Sequence, residues 1–191
     1  MPRQPCYSFL VRLTSFVVLA LTLLGCGRSK AVAGLVACPT RAASAKALAE
    51  HKDPHDIPTL IEVLNPAAAG VDCSADAAAD PTPAVAAAVA SYGPAAVDPL
   101  LQALKKNASK GGAALALGAI GDKRAVDPLI VELRTALLAG YRVEPTVITA
   151  LGQLGDDRAI PFLEQAASRP IGYRDPDAEK ALAAIKAAHA R

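Results

Sequence analysis

A motif of fourteen residues occurs twice in this chain. Residues 116–129 read Ala-Leu-Gly-Ala-Ile-Gly-Asp-Lys-Arg-Ala-Val-Asp-Pro-Leu, and residues 150–163 are identical to them at eight of the fourteen positions. The offset from Leu129 to Leu163 is 34 residues. Repeats of about this length are typical of solenoids, in which a unit buries its apolar face only against its neighbours. The repeat therefore constrains the fold more strongly than any other feature.

Two more divergent copies precede this pair, over residues 53–60 and 93–100. Each of the four repeats is marked by one leucine, and these are Leu60, Leu100, Leu129 and Leu163. The wide first gap is explained by an insertion, residues 66–83, which is rich in Ala, Asp and Pro and is expected to be a surface loop. We expect the four marker leucines to lie in the core.

The residues of each repeat predict two helices joined by a tight turn. Gly121 and Gly155 can take the left-handed conformation that ends a helix without Cβ strain. Asp122 and Asp156 follow them and can cap the next helix by accepting backbone N–H bonds. Pro128 lies several residues beyond the cap and is expected to loosen or kink the first turn. Two such helices cannot bury their apolar faces alone, so the repeats must stack.

The composition agrees with an all-α fold, because the apolar residues are mostly Ala, Leu and Val while only 4% of residues are aromatic. We predict about four units of paired helices plus a terminal cap helix. The predicted helices are 41–50, 55–65, 82–92, 95–107, 110–120, 123–139, 145–154, 157–168 and 176–189, of which the last is the cap.

The repeated string Ala-Leu-Gly-x-aliphatic-Gly-Asp-x-Arg-Ala-aliphatic-x-x-Leu resembles the short bacterial HEAT-like repeats, including the type first recognised in phycobilin lyases. It matches residues 116–129 and 150–163 well, and residues 53–64 and 93–104 loosely. The resemblance implies an α-solenoid of stacked antiparallel helix pairs, with a concave face that engages protein partners. It is specific for the fold and says almost nothing about function.

Residues 1–25 are predicted to be a signal peptide. Arg3 and Arg12 give a positive start, and an uninterrupted apolar run follows from Phe16 to Leu24. This run is too short to span a bilayer, which takes about 20 apolar residues. The segment is therefore expected to be removed after export.

The string Leu23-Leu24-Gly25-Cys26 resembles the lipobox of bacterial lipoproteins. The resemblance implies that Cys26 is acylated and becomes the first mature residue, so that lipid anchors the protein to a membrane. Gly27, and not Asp, follows the cysteine, which resembles lipoproteins of the outer membrane on its periplasmic side. In the alternative, Cys26 is an ordinary cysteine of the leader and cleavage follows residue 33. We predict a tether over residues 26–40 and a repeat domain over residues 41–191.

Cys38 and Cys73 remain as a pair if Cys6 leaves with the leader and Cys26 carries lipid. We predict a disulfide between them in an oxidising compartment, and closing a loop of this length would stabilise the fold by about 4 kcal/mol. Two free thiols are the alternative.

The net charge argues against nucleic acid as a partner. The chain has 20 basic and 18 acidic residues, and removing Arg3 and Arg12 with the leader leaves 20 − 2 = 18 basic residues, so the mature charge is zero. A protein that neutralises several phosphates normally carries a basic excess.

A Gly-Tyr-Arg triplet occurs twice between the two helices of a pair. Tyr141 and Arg142 precede Pro145, and Tyr173 and Arg174 precede Pro176. The two Tyr-Arg pairs are expected on one edge, about 10 Å apart, which is the spacing of packed helices. Since Tyr and Arg are enriched at binding hot spots, this edge is our candidate partner-binding site. In the structural alternative, each Gly caps a helix, each Tyr lies over helix ends, and each Arg bonds to carbonyls or an acid.

The sequence predicts no catalytic, metal or cofactor site. Pro54 separates His51 from His55 and prevents the continuous helix that would align two imidazoles, so a solvated turn is expected there. Lys110, Gly111 and Gly112 lack the spacing of a phosphate loop and are expected to start a helix. We therefore expect a scaffold that binds an envelope protein, with a lyase or chromophore-handling protein of the phycobilin-lyase type as the alternative.

Overall fold

The computed structural model describes residues 31–32, 34–35, 38–65, 80–106, 109–168 and 175–189. Within these ranges, the chain from Cys38 to His189 forms nine α-helices and no β-strand. The predicted all-α class is therefore confirmed. Cys26, Cys73, Tyr173, Arg174 and the signal peptide lie outside the described residues, so the predictions made for them stay predictions.

The helices follow one another through short connections. They are α1 (Cys38–His51), α2 (Ile57–Glu62), α3 (Thr82–Ala90), α4 (Val97–Leu104), α5 (Lys110–Ile120), α6 (Val126–Leu138), α7 (Pro145–Leu154), α8 (Ile160–Ala167) and α9 (Pro176–His189). Three of the predicted helices, 110–120, 145–154 and 176–189, have the observed bounds.

The second helix of each repeat begins differently from the prediction. A 3₁₀ segment precedes it in every case, namely Pro54–Asp56, Gly93–Ala96, Lys123–Ala125 and Asp157–Ala159. Asp122 Oδ1 accepts the N–H of Arg124 at 2.9 Å, and this bond across two residues favours a tight turn. Pro128 then falls in the first turn of α6, where its missing N–H loses no helical bond. The 3₁₀ segment is not specific to this proline, because the repeats with Thr59 and Phe162 at the equivalent position have one as well.

The glycines that end the first helices have the predicted conformation. Gly121 ends α5 with φ +75°, and Gly155 ends α7 with φ +64°. Each donates its N–H to a helix carbonyl four residues back. The chain turns sharply at these points, so the second helix of each repeat can fold back towards the first.

Contacts between helices divide the chain into two rows. In the first row, α1 packs against α3, α3 against α5, α5 against α7, and α7 against α9. The helices of the second row lie against the next helix along the chain, with α2 on α3, α4 on α5, α6 on α7 and α8 on α9. In addition, α2 contacts α4, and α6 contacts α8.

The core lies between the two rows and is made of small and branched aliphatic residues. All four marker leucines, Leu60, Leu100, Leu129 and Leu163, are 0% exposed, which confirms their predicted place. Each contributes about 2 kcal/mol of hydrophobic free energy by its burial.

Glycine in the Ala-Leu-Gly part of the motif lets first-row helices approach closely. A Cβ on Gly152 would lie 2.9 Å from the Cβ and 3.0 Å from the Cα of Ala181 in α9. A Cβ on Gly118 would lie 2.8 Å from the Cα of Ala150 in α7. Real Cβ atoms do not come so near to backbone, so these two positions accept no side chain without a shift of the helices.

Each Gly-Asp-x-Arg turn is linked to the repeat before it. Arg158 donates from Nε and Nη2 to its own capping residue Asp156, and from Nη1 to Asp127 Oδ1 at 2.7 Å. Asp127 lies in the first turn of α6, in the preceding repeat. Arg124 does the same with Asp122 and Asp98, the latter at 3.1 Å. Both arginines are about half exposed, so the links are weak individually.

The packed part of the chain begins earlier than the predicted boundary at residue 41. Leu35 is 1% exposed, and its carbonyl accepts the buried Arg41 Nε at 2.8 Å. The segment expected to be a tether up to residue 40 therefore contributes to the core, because Leu35 is apolar and Arg41 holds it in place. Cys38, one member of the predicted disulfide, is the first residue of α1.

At the other predicted loop, α3 starts at Thr82, inside the expected insertion 66–83. Residues 66–79 of the insertion lie outside the described residues. Among the helices that the structure describes, none is by itself long and apolar enough to cross a bilayer. One pair, α3 with residues 93–104, meets the length and composition test together but is bent by 118°.

Candidate partner-binding site

Tyr141 and Arg142 lie in the connection from α6 to α7, where the end of α6 fixes their place. Gly140 has φ +73°, its N–H donates to the Leu137 carbonyl at 3.3 Å, and the Tyr141 N–H donates to the Ala136 carbonyl at 3.0 Å. This pair of bonds is a Schellman motif. Gly140 therefore caps the helix as the structural alternative expected, while Tyr141 is 72% exposed and presents most of its ring to solvent.

An open groove of about 420 Å³ adjoins these two residues. It lies between the start of α5, the second half of α6 and the connection to α7. The groove is lined by Lys110, Glu132, Thr135, Ala136, Ala139, Tyr141, Arg142, Val143, Glu144 and Val147. Its walls combine alanine and valine with charged groups of both signs, and Tyr141 and Arg142 are the two lining residues of types enriched at interfaces.

Two buried valines hold the connection against the core. Val143 is 4% exposed and anchors the connection, and Val147 at the start of α7 is 1% exposed. Tyr141 and Arg142 stay at the surface. Across the groove, Lys110 Nζ forms an ion pair with Glu132. This pair joins the start of α5 to α6 and satisfies two of the groove's charges.

Leu138 is an exposed hydrophobic residue that the sequence interpretation did not single out. It is 79% exposed at the last position of α6. Helix α6 has 13 residues, whereas the other second-row helices α2, α4 and α8 have 6, 8 and 8. The additional turn of α6 has no counterpart in α2, α4 or α8, and Leu138 in this turn is exposed to solvent. The length of the predicted helix 123–139 was the available signal for this feature.

The second Tyr-Arg pair cannot be placed beside the first. Tyr173 and Arg174 lie outside the described residues, so the common edge remains a prediction. The part of the site that the structure describes is therefore the groove with Tyr141, Arg142 and Leu138.

The other residues considered from sequence have simple structural surroundings. His51 and His55 are exposed, as expected for a solvated turn. Within the described ranges, no group of three or more His, Cys, Asp or Glu residues could hold a metal ion. Helix α5 begins at Lys110 as predicted, and a Cβ on Gly112 would lie 2.9 Å from the Leu64 carbonyl oxygen. Close packing on Leu64 thus explains this glycine.

Two further grooves lie between first-row helices. The larger, about 640 Å³, lies at the surface between α1 and α3 and is lined mostly by alanine together with Lys46, Glu50 and Lys52. The smaller, about 260 Å³, separates α7 from α9 around Gly152 and Lys180. Neither contains an exposed large hydrophobic residue.

Comparison with known proteins agrees with the repeat architecture. A family model described as HEAT repeats matches residues 97–183. The matched segment runs from α4 to the middle of α9 and contains both well-formed copies of the motif. No curated protein matches the chain. The match supports a HEAT-like repeat protein, which confirms this part of the expectation drawn from the motif.

Proposed function

We propose that this chain, whose residues 97–183 match HEAT repeats, is an exported, lipid-anchored scaffold that binds a protein partner in the bacterial cell envelope. HEAT repeats generally serve as protein-interaction scaffolds. The observation that carries the proposal is the exposure of Leu138 and Tyr141, 79% and 72%, beside a groove. The packing of the repeats gives no reason for large apolar side chains to remain in solvent there, whereas burial by a partner does.

The architecture that presents this surface is, in our proposal, a stack of about four antiparallel helix pairs closed by α9. The two rows of helix contacts and the regular Asp-Arg links between repeats support it. A rigid stack suits a scaffold, because a partner then meets side chains that are already in place.

The experiment for the partner site uses a photo-crosslinking amino acid at position 141 in cells. We expect a discrete crosslinked product in the envelope fraction. Lys123, an exposed residue before the other end of α6, is the matched control position. The 13 residues of α6, about 20 Å of helix, lie between the two positions, and position 123 is expected to give no such product. Equal products from both positions, or none from position 141, would contradict the proposal.

The anchor is supported by the sequence around Cys26 and is tested separately. Cys26→Ser is expected to move the protein from the membrane to the soluble fraction or to leave it unprocessed, since serine cannot form the thioether to diacylglycerol. Cys6→Ser is the matched control, because this cysteine lies in the leader and its loss should leave the fractionation unchanged. An unaltered membrane fraction for Cys26→Ser would remove the anchor from the proposal. The lyase alternative stays a hypothesis without an observation that favours it.

A further inference from the structure

The outward face of α6 differs from the same face of the other second-row helices. In three of the four repeats, the residue two positions after the marker leucine is polar. In the repeat of α6 this residue is Val131. The positions compared are Glu62, Gln102, Val131 and Gln165. All four are exposed, and Val131 is 48% exposed. A solenoid needs no valine at this position, since three repeats fold without one.

Val131 belongs to a stripe that runs to the end of α6. Leu138 follows seven residues later, which places it on the same face about 10 Å along the helix axis. Arg134 lies between them in register, and its exposed side chain takes part in no hydrogen bond or ion pair with the described residues. Tyr141 extends the stripe past the cap. The α6 stripe, defined as Val131, Arg134, Leu138 and Tyr141, therefore offers apolar groups on both sides of a guanidinium.

The surroundings of the stripe are more basic than acidic. Lys105 and Lys106 directly follow the preceding second-row helix and are exposed, and Arg142 follows the stripe. Of the nearby acids, Asp127, one turn before Val131 on α6, is already paired with Arg158, and Glu132 with Lys110, which leaves Glu144. An incoming carboxylate thus meets an attractive potential here, and an incoming ammonium group does not.

We infer that the α6 stripe is the docking surface for an acidic amphipathic helix of the partner protein. The inference rests on the proposed function, since it names the chemistry of the partner at the same site. Two apolar groups seven residues apart match the contact positions of a second helix laid along α6. Arg134 between them provides a bidentate donor for a carboxylate of that helix.

The probe is a synthetic peptide, roughly 15 residues long so that a helix can form, with leucine on one face and glutamate on the other. Its affinity for the purified mature protein is measured by fluorescence anisotropy. The double variant Val131→Gln and Leu138→Gln is expected to bind at least about tenfold more weakly, because glutamine removes the apolar contacts. These are exposed positions, so the unfolding midpoint should change little. Gln102→Ala, in the equivalent position of α4, is the matched control and should bind like the wild type.

Charge is tested with a second peptide in which lysine replaces every glutamate. We expect it to bind at least about tenfold more weakly than the acidic peptide, and Arg134→Ser to reduce this preference. Equal binding of both peptides, equal binding by the double variant, or no binding of the acidic peptide would overturn the inference. So would binding to phosphatidylglycerol vesicles in place of the peptide, or self-association that the double variant abolishes.

Failure of this inference differs from failure of the proposed function. If position 141 crosslinks a partner in cells while the double variant keeps full peptide affinity, the scaffold stands and the acidic helix does not. If the peptide binds through the stripe but no envelope protein crosslinks, the docking chemistry stands and the assigned compartment is wrong.

Discussion

Arg158 reaches Asp127 in the preceding repeat, with Nη1 2.7 Å from Oδ1, while its Nε and Nη2 hold Asp156 in its own repeat. One guanidinium therefore closes a turn and joins two repeats. Hydrogen bonds from this side chain lower the pKa of Asp156, and the bonds with Asp156 raise that of Arg158. The same arrangement recurs at Arg124 with Asp122 and Asp98.

The link between repeats should be measurable as a small coupling energy. We expect Arg158→Ala to lower the free energy of unfolding slightly and Asp127→Ala by less, because the arginine also supports the turn. A double-mutant cycle in urea should give a small favourable coupling energy that shrinks at high salt. Zero coupling at low salt would show that the contact adds nothing in solution. Arg124 and Asp98 provide a second, independent cycle.

Acid should weaken the two capping turns. Asp122 and Asp156 have pKa values below the ordinary aspartate value, chiefly because Arg124 and Arg158 donate hydrogen bonds to them. A carboxylate with a lower pKa in the folded state stabilises the fold above the unfolded pKa, near pH 4, and loses this contribution as pH falls through the folded pKa.

The measurement is the free energy of unfolding between about pH 6 and pH 2. Asp122→Asn with Asp156→Asn is the comparison, since asparagine keeps a cap acceptor but has no charge. The variant should be less stable at pH 6 and should approach the wild type near pH 2. A constant difference over the whole range would show that the charges play no part.

Alanine at Gly152 should destabilise the protein although alanine favours helices. Its Cβ would press on the Cα of Ala181 at 3.0 Å, so α7 and α9 would have to separate. We expect a loss of about 1–3 kcal/mol in the free energy of unfolding, measured by urea denaturation.

Gly111→Ala is the matched control for this substitution. Its Cβ would meet only the side-chain oxygens of Thr146 and Glu144, at 3.3 and 3.4 Å, and these can move. It should therefore be neutral or stabilising by up to about 1 kcal/mol through helix propensity. If both variants behave alike, close packing at Gly152 is not what excludes a side chain.

The disulfide predicted between Cys38 and Cys73 is testable on the mature protein. Mass spectrometry without reductant should show a peptide linking the two cysteines. Cys38→Ser with Cys73→Ser should then lower stability by about 4 kcal/mol, and reductant should destabilise the wild type but not the variant. Free thiols in protein purified from the envelope would exclude the bridge.

Much of the fold could be predicted because its signals are local. Gly121 and Gly155 end their helices for a conformational reason that belongs to one residue, and the Asp caps act within two residues. The close approach of Gly152 to Ala181 could not be predicted, since it depends on how two helices cross. The packing of Leu35 was missed because the segment shows no helical periodicity.

The candidate site was predictable only in part. The repeated Gly-Tyr-Arg triplet located Tyr141 and Arg142, since the repetition and the residue types are both visible in the sequence. The exposure of Leu138 depends on where the neighbouring helices end, which the apolar pattern does not report. Leu137 is 8% exposed, and from the sequence its neighbour Leu138 would also be predicted to lie in the core. Only a comparison of the length of α6 with the lengths of α4 and α8 shows the difference.

The Asp-Arg links have a beginning and an end along the chain. In the repeat of α4, Ala95 stands where later repeats have the arginine, so this repeat accepts a bond but donates none. In the repeat of α8, Pro161 stands where α4 and α6 have Asp98 and Asp127, so this repeat donates but cannot accept. A duplicated copy of the α6 repeat would bring both halves of the link with it. Lengthening the protein by internal copying therefore needs no new interface chemistry, whereas adding repeats beyond either end does.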